Sequence, residues 1–141
     1  MSKQDLQKAQ QLLTQEGHTL VLCRQQTVHT SSRRGVSALL GFLEDGTDLR
    51  GFSAADKVVG RATAFLYRLL GVTQVYGAVM SQPALEVLQE GGIAAYPGKL
   101  VSGIINRQGD GPCPMEQATT GIQDPQQALE AIRQALAKLK K

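Results

Sequence analysis

Residues 53–88 read SAADKVVGRATAFLYRLLGVTQVYGAVMSQPALEVL, and this stretch decides the fold class of the chain. Apolar residues recur at helical spacing from Val58 to Leu70, and Gly71 stands where a helix commonly ends. Ser53 precedes the run as a capping residue, with an acidic residue three positions later. The pattern therefore predicts one long helix that begins after Ser53 and ends at Gly71.

The second half of this stretch predicts a strand and another helix. Residues 72–80 are mostly apolar, and a run of this length is typical of a buried strand. Ser81 and Pro83 then provide a cap and a first-turn proline for a helix that ends at Gly91 and Gly92. A helix, a strand and a helix in succession indicate an α/β fold.

The remaining predicted elements complete a mixed sheet between helices. Upstream, the predicted elements are a helix over residues 5–16, a hairpin of residues 19–24 and 27–31, and a helix over residues 36–43. Downstream, they are strands over residues 93–96 and 100–105 around Pro97 and Gly98, and a last helix from Pro125 after the cap Asp124. We expect a partly parallel sheet with helices on both faces and the antiparallel hairpin at one side.

Length and composition bound the class of protein. The 141 residues suit a single domain, 1–141, with an N-terminal helical segment, 1–17, and a C-terminal helix, 124–141. The sequence has no apolar run long enough to span a bilayer, and MSKQDLQKAQ lacks the apolar stretch of a secretory signal. A cytoplasmic location is therefore expected. Two cysteines make no disulfide framework, and a net charge of +3 does not require a nucleic-acid partner.

Asp56, Lys57 and Arg61 form the first cluster that could carry chemistry. In the predicted helix, Asp56 and Lys57 occupy the opening turn, where the dipole favours the acid and disfavours the lysine. Such a lysine is either simply solvated or close to an anion, and Arg61 follows four residues later on the same side. The cluster is a candidate for proton transfer by Asp56 and for anion binding, or else for capping and a weak surface ion pair.

A cysteine between two prolines forms the second cluster, residues 111–116. Pro114 can start a short helix, and Cys113 would then lie at its N-terminus, where the dipole favours the thiolate. Cys113 is a candidate nucleophile, redox thiol or ligand contact, and Glu116 a candidate acid or base. The structural alternative is that Glu116 completes a capping box. Cys23, within an apolar strand, is expected to be an inert core residue.

Three further residues are candidates for ligand binding. Asn106 and Arg107 directly follow an apolar strand, and the carboxyl ends of strands commonly line the crevice of an α/β sheet. Ser81 also follows a strand, and amides at the start of the next helix could bind an anion. The structural alternatives are a polar turn for Asn106 and Arg107 and helix capping for Ser81.

Several motifs that would assign a function are absent from the sequence. No Gly-rich loop ends in Gly-Lys-Ser/Thr, and no Gly-x-Gly-x-x-Gly follows a strand. His18 and His29 have no partner at metal-ligand spacing, and scattered aromatic residues provide no stacking platform for nucleic acid.

Short motifs, taken in order, resemble those of a known family, and they lie at residues 53–62, 75–76, 81, 104–107 and 113–116. Together they resemble the prokaryotic domain-of-unknown-function family 1893, whose fold is similar to that of cytidine deaminase. The resemblance runs from about the hairpin to Glu116. It implies a three-layer α/β/α domain with a mixed sheet.

The zinc motif of cytidine deaminases is not retained. Those enzymes need His or Cys two residues before Glu on one helix and Pro-Cys-x-x-Cys at the start of another. Residues 56–58 provide neither part of the first motif, and Glu116 stands where the second motif has its last cysteine. One thiolate with scattered carboxylates is a poor tetrahedral zinc site, so no metal or other cofactor is expected.

The resemblance places the candidate residues around one pocket. Two helix N-termini would carry Asp56, Lys57, Cys113 and Glu116, and neighbouring strand ends would carry Ser81, Asn106 and Arg107. The leading hypothesis is that the protein binds a small polar, anionic or nucleotide-like ligand. The alternatives are a non-catalytic interaction or scaffold protein that self-associates, and a thiol-dependent enzyme that uses Cys113.

Overall fold

The computed structural model describes residues 3–15, 17–33, 35–104 and 114–139. In these ranges the chain forms six helices and five strands: α1 (Lys3–Leu13), β1 (Leu20–Arg24), β2 (Thr27–Ser31), α2 (Gly35–Asp45), β3 (Ser53–Val59), α3 (Arg61–Leu70), β4 (Gln74–Ser81), α4 (Gln82–Glu90), β5 (Ala94–Val101), α5 (Pro114–Thr119) and α6 (Pro125–Leu139). The helices expected over residues 5–16 and 36–43 and the strand expected over residues 72–80 are present as α1, α2 and β4, with slightly shifted ends. None of the described helices is both long and apolar enough to cross a membrane.

The five strands form one mixed sheet in the order β2-β1-β3-β4-β5. β1 pairs antiparallel with β2 and β3, whereas β3, β4 and β5 run parallel. Gln25 supplies the positive φ, 55°, that lets the short β1–β2 link turn tightly. The expected α/β fold, with a mixed sheet and an antiparallel hairpin at one side, is confirmed.

The two faces of the sheet are covered unequally. Of the six described helices, α1 lies on one face, where the buried residues of a small core are Ala9, Leu13, Val21, Cys23 and Ala55. On the other face, α2, α3, α4, α5 and α6 contribute to a large core, in which Phe65 and Tyr67 of α3 are almost completely buried. Helices therefore pack on both sides of the sheet, and the expected three-layer arrangement is confirmed.

The prediction of a helix that begins after Ser53 is wrong in its first part, because residues 53–59 form β3. β3 lies in the middle of the sheet, between β1 and β4, and its first four residues are all buried. Pairing on both sides and burial between two layers outweigh the helical preference of this Ala-containing segment. The helix begins only at Arg61 and ends, as predicted, at Gly71, which adopts a φ of 79°.

The parallel strands share an irregularity near their carboxyl ends. Lys57, Ala78 and Gly98 lie side by side in the three neighbouring strands, but they are not paired with one another. The residues directly before and directly after them are paired. At this level the Tyr76 side chain reaches over β5, because a Cβ added at Gly98 would lie 3.0 Å from its hydroxyl. The same Cβ would lie 2.8 Å from the Ala78 carbonyl oxygen, so glycine is required at this position.

This irregularity changes which residues of β3 face the large core. Asp56 bonds to Tyr67 of α3, and Val59 also belongs to the large core. Residues three apart point to opposite sides in a regular strand, so β3 changes phase between Asp56 and Val59. Lys57 and Val58, between them, are exposed.

The prediction of two strands around Pro97 is wrong, because residues 94–101 form the single strand β5. β5 is the edge strand beside β4. Proline lacks the N–H group of a ladder bond, but an edge strand tolerates it where that position faces outward. Residues 105–113 lie outside the described residues.

Three predicted helix starts are confirmed. The Ser81 hydroxyl accepts a hydrogen bond of 3.1 Å from the Ala84 N–H. The Asp124 carboxylate accepts one of 3.0 Å from the Gln127 N–H. Pro114 begins the short helix α5. The Ser81 cap joins the carboxyl end of β4 directly to α4.

Candidate functional site

Asp56 lies inside the large core, so its predicted place in the first turn of a helix is wrong. It is 2% exposed, and its Oδ2 accepts a hydrogen bond of 2.7 Å from the Tyr67 hydroxyl. Its Oδ1 accepts one of 3.3 Å from the Val58 N–H. Burial raises the pKa of Asp56 to about 7, although these hydrogen bonds oppose the rise.

Tyr67 completes a buried polar pair with Asp56. Its pKa rises well above the ordinary value, chiefly because of burial and then because of the adjacent carboxylate. Because the pair is sealed inside the core, it joins β3 to α3 in this conformation. A catalytic role for Asp56 stays a prediction, and it would require that part of the core to open.

Lys57 and Arg61 do not form the predicted cationic face of one helix, because Lys57 lies in β3 and Arg61 begins α3.

The Arg61 guanidinium attaches α5 to α3. Its Nε donates a hydrogen bond of 2.8 Å to the Thr119 carbonyl, and its Nη2 donates to the Ile122 carbonyl. Lys57 is exposed and accessible to a ligand, and binding by either residue stays a prediction.

Glu116 caps α3 from a different helix. Its Oε1 accepts a hydrogen bond from the Arg61 backbone N–H. Gly60, directly before α3, has no side chain to cap the helix, and an added Cβ would collide with the Glu116 carboxylate. A negative charge is favourable at a helix N-terminus, whereas burial raises the pKa of Glu116. Glu116 therefore replaces the missing cap of α3, and its role as an acid or base stays a prediction.

The remaining predicted site residues are either buried or outside the described residues. Ser81 is fully buried and caps α4, so its hydroxyl is not available to a ligand in this conformation. Cys113, Asn106 and Arg107 lie outside the described residues. A thiol-dependent reaction at Cys113, and its convergence with Asp56 on one pocket, therefore stay predictions.

Cys23 lies in the small core beneath α1, as expected from its apolar strand. Burial raises the pKa of its thiol, and this effect outweighs the opposing influence of the nearby Lys8. A buried thiol with a raised pKa is a poor nucleophile.

The described residues contain no group of three His, Cys, Asp or Glu side chains that could hold a metal ion. The two carboxylates of the expected pocket have other partners, since Asp56 accepts from Tyr67 and Glu116 accepts from the Arg61 N–H. This donor set does not fit a tetrahedral zinc site.

A cleft of about 600 Å³ opens between α2 and α6, and none of the sequence-predicted site residues lines it. Its lining residues are Arg33, two positions before the start of α2, then Ser37, Leu40, Gly41 and Glu44 of α2, and Arg133, Leu136 and Ala137 of α6. In each helix the lining positions are three and four residues apart, so they share one face. Exposed arginine and glutamate side chains thus surround an apolar floor.

Gly41 is the signal in the sequence that could have indicated this cleft. A glycine inside a helix is about 1 kcal/mol less favourable than alanine. An added Cβ at Gly41 would meet nothing within 4 Å, so packing does not require glycine here. Its missing side chain instead leaves room in the floor of the cleft. The sequence alone does not indicate that Arg33 and Arg133 line one cleft, because only the tertiary fold brings α6 close to the start of α2.

The fold and the site define an α/β/α domain with a mixed five-stranded sheet and a cleft between two helices. The chain belongs to the TM1506 family, described as Domain of unknown function (DUF1893), whose model matches residues 8–136. The crystal structure of a DUF1893 family protein, TM1506 from Thermotoga maritima, is similar to this chain with a TM-score of 0.85 and 23% identity. That match covers 98% of this chain and 92% of the other, and it confirms the fold.

Two deaminases are similar at a lower level. The apo dCMP deaminase of the cyanophage S-TIM5 has a TM-score of 0.48 and 11% identity, over 69% of this chain and 99% of that chain. A diaminohydroxyphosphoribosylaminopyrimidine deaminase/5-amino-6-(5-phosphoribosylamino)uracil reductase of Thermotoga maritima has a TM-score of 0.45 and 14% identity, over 67% and 35%. No curated protein matches the sequence of the chain. These similarities assign no activity to it.

Proposed function

We propose that the protein binds a small anionic, nucleotide-like molecule in the cleft between α2 and α6. The observation that carries this proposal is the presence of two exposed arginines in the lining of one cleft, Arg33 in the segment that leads into α2 and Arg133 on α6. The proposal retains the kind of ligand expected from the sequence. It places the ligand away from Asp56 and Ser81, whose side chains are buried.

The two arginines are suited to an anionic group. A guanidinium is always charged and offers a planar set of donors to a phosphate or carboxylate. Neither cleft arginine forms an ion pair with an acidic side chain of the described residues. The Arg33 N–H donates a hydrogen bond of 3.0 Å to the Ser31 hydroxyl, which fixes the backbone that carries its side chain.

The floor of the cleft is suited to the uncharged part of such a molecule. Leu40, Leu136 and Gly41 provide an apolar surface, against which a planar ring can pack. Ser37 and Glu44 flank this surface, separated by about 10 Å along the helix axis. A phosphate near the arginines would leave the hydroxyl or amino groups of the ligand free to donate to Glu44.

The proposal is tested by titrating ¹⁵N-labelled protein with inorganic phosphate, AMP and CMP while amide shifts are recorded. At least one nucleotide is expected to saturate shifts along the facing sides of α2 and α6. Arg33→Ala and Arg133→Ala should each weaken binding about tenfold to a hundredfold, because a hydrogen bond to a charged group contributes about 1.5–3 kcal/mol. Lys138→Ala, on α6 but outside this cleft, is the control and should leave the Kd unchanged.

Gly41→Leu separates binding from folding. The added side chain has room to enter the cleft, and leucine favours a helix more than glycine does, so stability should not fall. Binding of the nucleotide should nevertheless be lost. Absence of saturable binding, or binding that Gly41→Leu leaves intact, would show that the cleft is not the site.

A further inference from the structure

An apolar patch is exposed on the face of the sheet where α1 packs. It is termed the open face and consists of Lys57, Val58, Tyr76, Val79, Tyr96 and Lys99. Tyr96 is 47% exposed and Val58 is 44% exposed, and both lie in strands of the sheet. Tyr76 and Val79, in the strand between them, are half-buried. A partly exposed apolar patch that spans three strands is characteristic of an interaction surface.

Strand pairing places the tyrosines together on the α1 side. Tyr76 of β4 packs against the small core that lies beneath α1. Tyr96 of β5 is directly opposite Tyr76 in the register, and such partners point to the same side of a sheet. Tyr96 therefore lies beside Tyr76, beyond the part of the face that α1 covers.

The phase change of the strands turns a second row of residues to the same side. A Cβ at Gly77 would lie 3.2 Å from Met80 Cε and 2.9 Å from Val59 Cγ2, so these three positions share the large core. Their neighbours Val58 and Val79 are consequently directed toward the α1 side. Val79 pairs with Val58 on one side and with Lys99 on the other, which completes the row.

The open face has room for a helix but resists strand addition. Strands are spaced about 4.8 Å apart, so β4 and β5 together present a strip about as wide as one helix. At the edge, Pro97 lacks a donor and Lys99 carries a charge, two features that oppose pairing with another strand. A partner is therefore expected on the face, beside α1.

The charges of the open face select the partner. Lys57 and Lys99 border the apolar residues. The strands β3, β4 and β5 place no carboxylate on this face, because their single acidic residue, Asp56, is directed into the large core. Two copies of the face would bring lysines together, whereas acidic side chains complement them. We propose that the open face binds an amphipathic helix of a partner protein, whose apolar stripe is flanked by Asp or Glu. This site lies across the sheet from the cleft of the proposed function and is independent of it.

The test uses a synthetic helical peptide with leucines along one face and glutamates beside them, and a matched peptide with lysines in place of the glutamates. The glutamate peptide should shift amides of β4 and β5, and the lysine peptide should not bind. Tyr96→Ser should weaken binding about tenfold, as expected for an exposed aromatic anchor. The double variant Lys57→Glu, Lys99→Glu should weaken binding of the glutamate peptide by at least the same factor.

Leu100→Ser and Lys138→Glu are matched controls. Leu100 is 45% exposed, but it pairs with Met80 of the large core and faces away from the open face. Lys138 lies on α6, across the sheet. Neither change should alter peptide binding. The proposal is overturned if the glutamate peptide does not bind or is insensitive to Tyr96→Ser. A dimer that Tyr96→Ser disrupts would assign the face to a second copy, and Tyr96-dependent binding of phosphatidylserine vesicles would assign it to a membrane; either result also overturns the proposal.

Discussion

Asp56 and Tyr67 join the central strand of the sheet to the central helix of the large core. A buried carboxyl group is tolerated when donors satisfy its oxygens, and here the donors are the Tyr67 hydroxyl and the Val58 N–H. The ionised form is still disfavoured by burial, so the pKa of Asp56 rises to about 7. This shift links the stability of the protein to pH.

The raised pKa of Asp56 predicts that stability falls as the pH increases from about 4 to about 7. The folded pKa of about 7 lies above the ordinary value of 3.8, so the folded state binds the proton more tightly across this window. The contribution is fully present below the unfolded pKa and is lost as the pH rises through the folded pKa. Its upper bound is about 4 kcal/mol, or about three pH units at about 1.4 kcal/mol each.

Urea unfolding of the wild type and Asp56→Asn at pH 4 to 8 measures this linkage. The variant should lose the pH-dependent contribution, so its stability relative to the wild type rises toward pH 8. Tyr67→Phe removes a donor to the carboxylate and should shift the transition to higher pH. Parallel stability curves for the wild type and Asp56→Asn would contradict the assignment.

Gly60 and Glu116 predict a non-additive pair of substitutions. Gly60→Ala should destabilise by about 1–3 kcal/mol, because its Cβ meets the Glu116 carboxylate and lies 3.2 Å from Ile104 Cγ1. Glu116→Ala should destabilise by about 1–2 kcal/mol through loss of the α3 cap. In the double variant the collision with the carboxylate is absent, so urea unfolding should give less than the sum. Additivity within about 0.5 kcal/mol would rule out the direct contact.

The role of a residue could be predicted from the sequence where its partner is close in sequence, and not where its partner is distant. Ser81 and Asp124 cap helices that begin directly after them, so a local pattern was sufficient. Glu116 caps a helix 55 residues away, and no local spacing indicates that contact. Asp56 follows Ser53 at the spacing of a capping box, which concealed its burial in a strand.

At the scale of elements, the join between β3 and α3 shows why the long helix was mispredicted. Val58 and Val59 match the helical spacing of the residues that follow, but they end a strand. Only Gly60 separates the two elements, so no cluster of turn residues marks the boundary. The preference of residues 53–56 for a central strand comes from pairing with β1 and β4, which is not a local property.

Pro97 predicts the association behaviour of β5. Pro97→Val gives this position of the edge strand an N–H donor and raises its β propensity. The variant should self-associate at lower concentration than the wild type, as measured by sedimentation velocity. Pro83→Ala, within the first turn of α4, is the control and should sediment like the wild type. An unchanged Pro97→Val profile would show that this proline does not protect the edge.

At the scale of the whole molecule, the alternation of helices and strands was sufficient to predict the fold class. The way the helices pack on the two faces of the sheet could not be predicted from it. Alternation of helices and strands, with a hairpin before them, led to the mixed sheet that is observed. The α2–α6 cleft depends on how two helices far apart in sequence pack around α3. The unequal covering of the two faces likewise depends on tertiary packing.

Cys23 provides a reporter for the more lightly covered face. In a Cys113→Ser background, its thiol is the single thiol of the chain, and it lies in the small core with α1. Leu13→Ala weakens the packing of α1 and should accelerate labelling of Cys23 by a thiol reagent about tenfold or more, since such truncations cost about 2–5 kcal/mol. Equal labelling rates with and without Leu13→Ala would show that α1 does not control access to the thiol.

The position of α1 has a consequence for synthesis on the ribosome. α1 is the first described helix to be translated, yet its small core needs Val21 of β1 and Ala55 of β3, and Tyr76 of β4 packs against that core. The helix therefore emerges long before its docking surface exists, and its apolar stripe stays exposed until β3 has left the exit tunnel. Nascent chains that end before residue 53 and are carried out of the tunnel on a linker should leave Cys23 open to thiol reagents, whereas chains that end after β4 on the same linker should protect it. α1 therefore docks only after strands that are translated later than it have emerged.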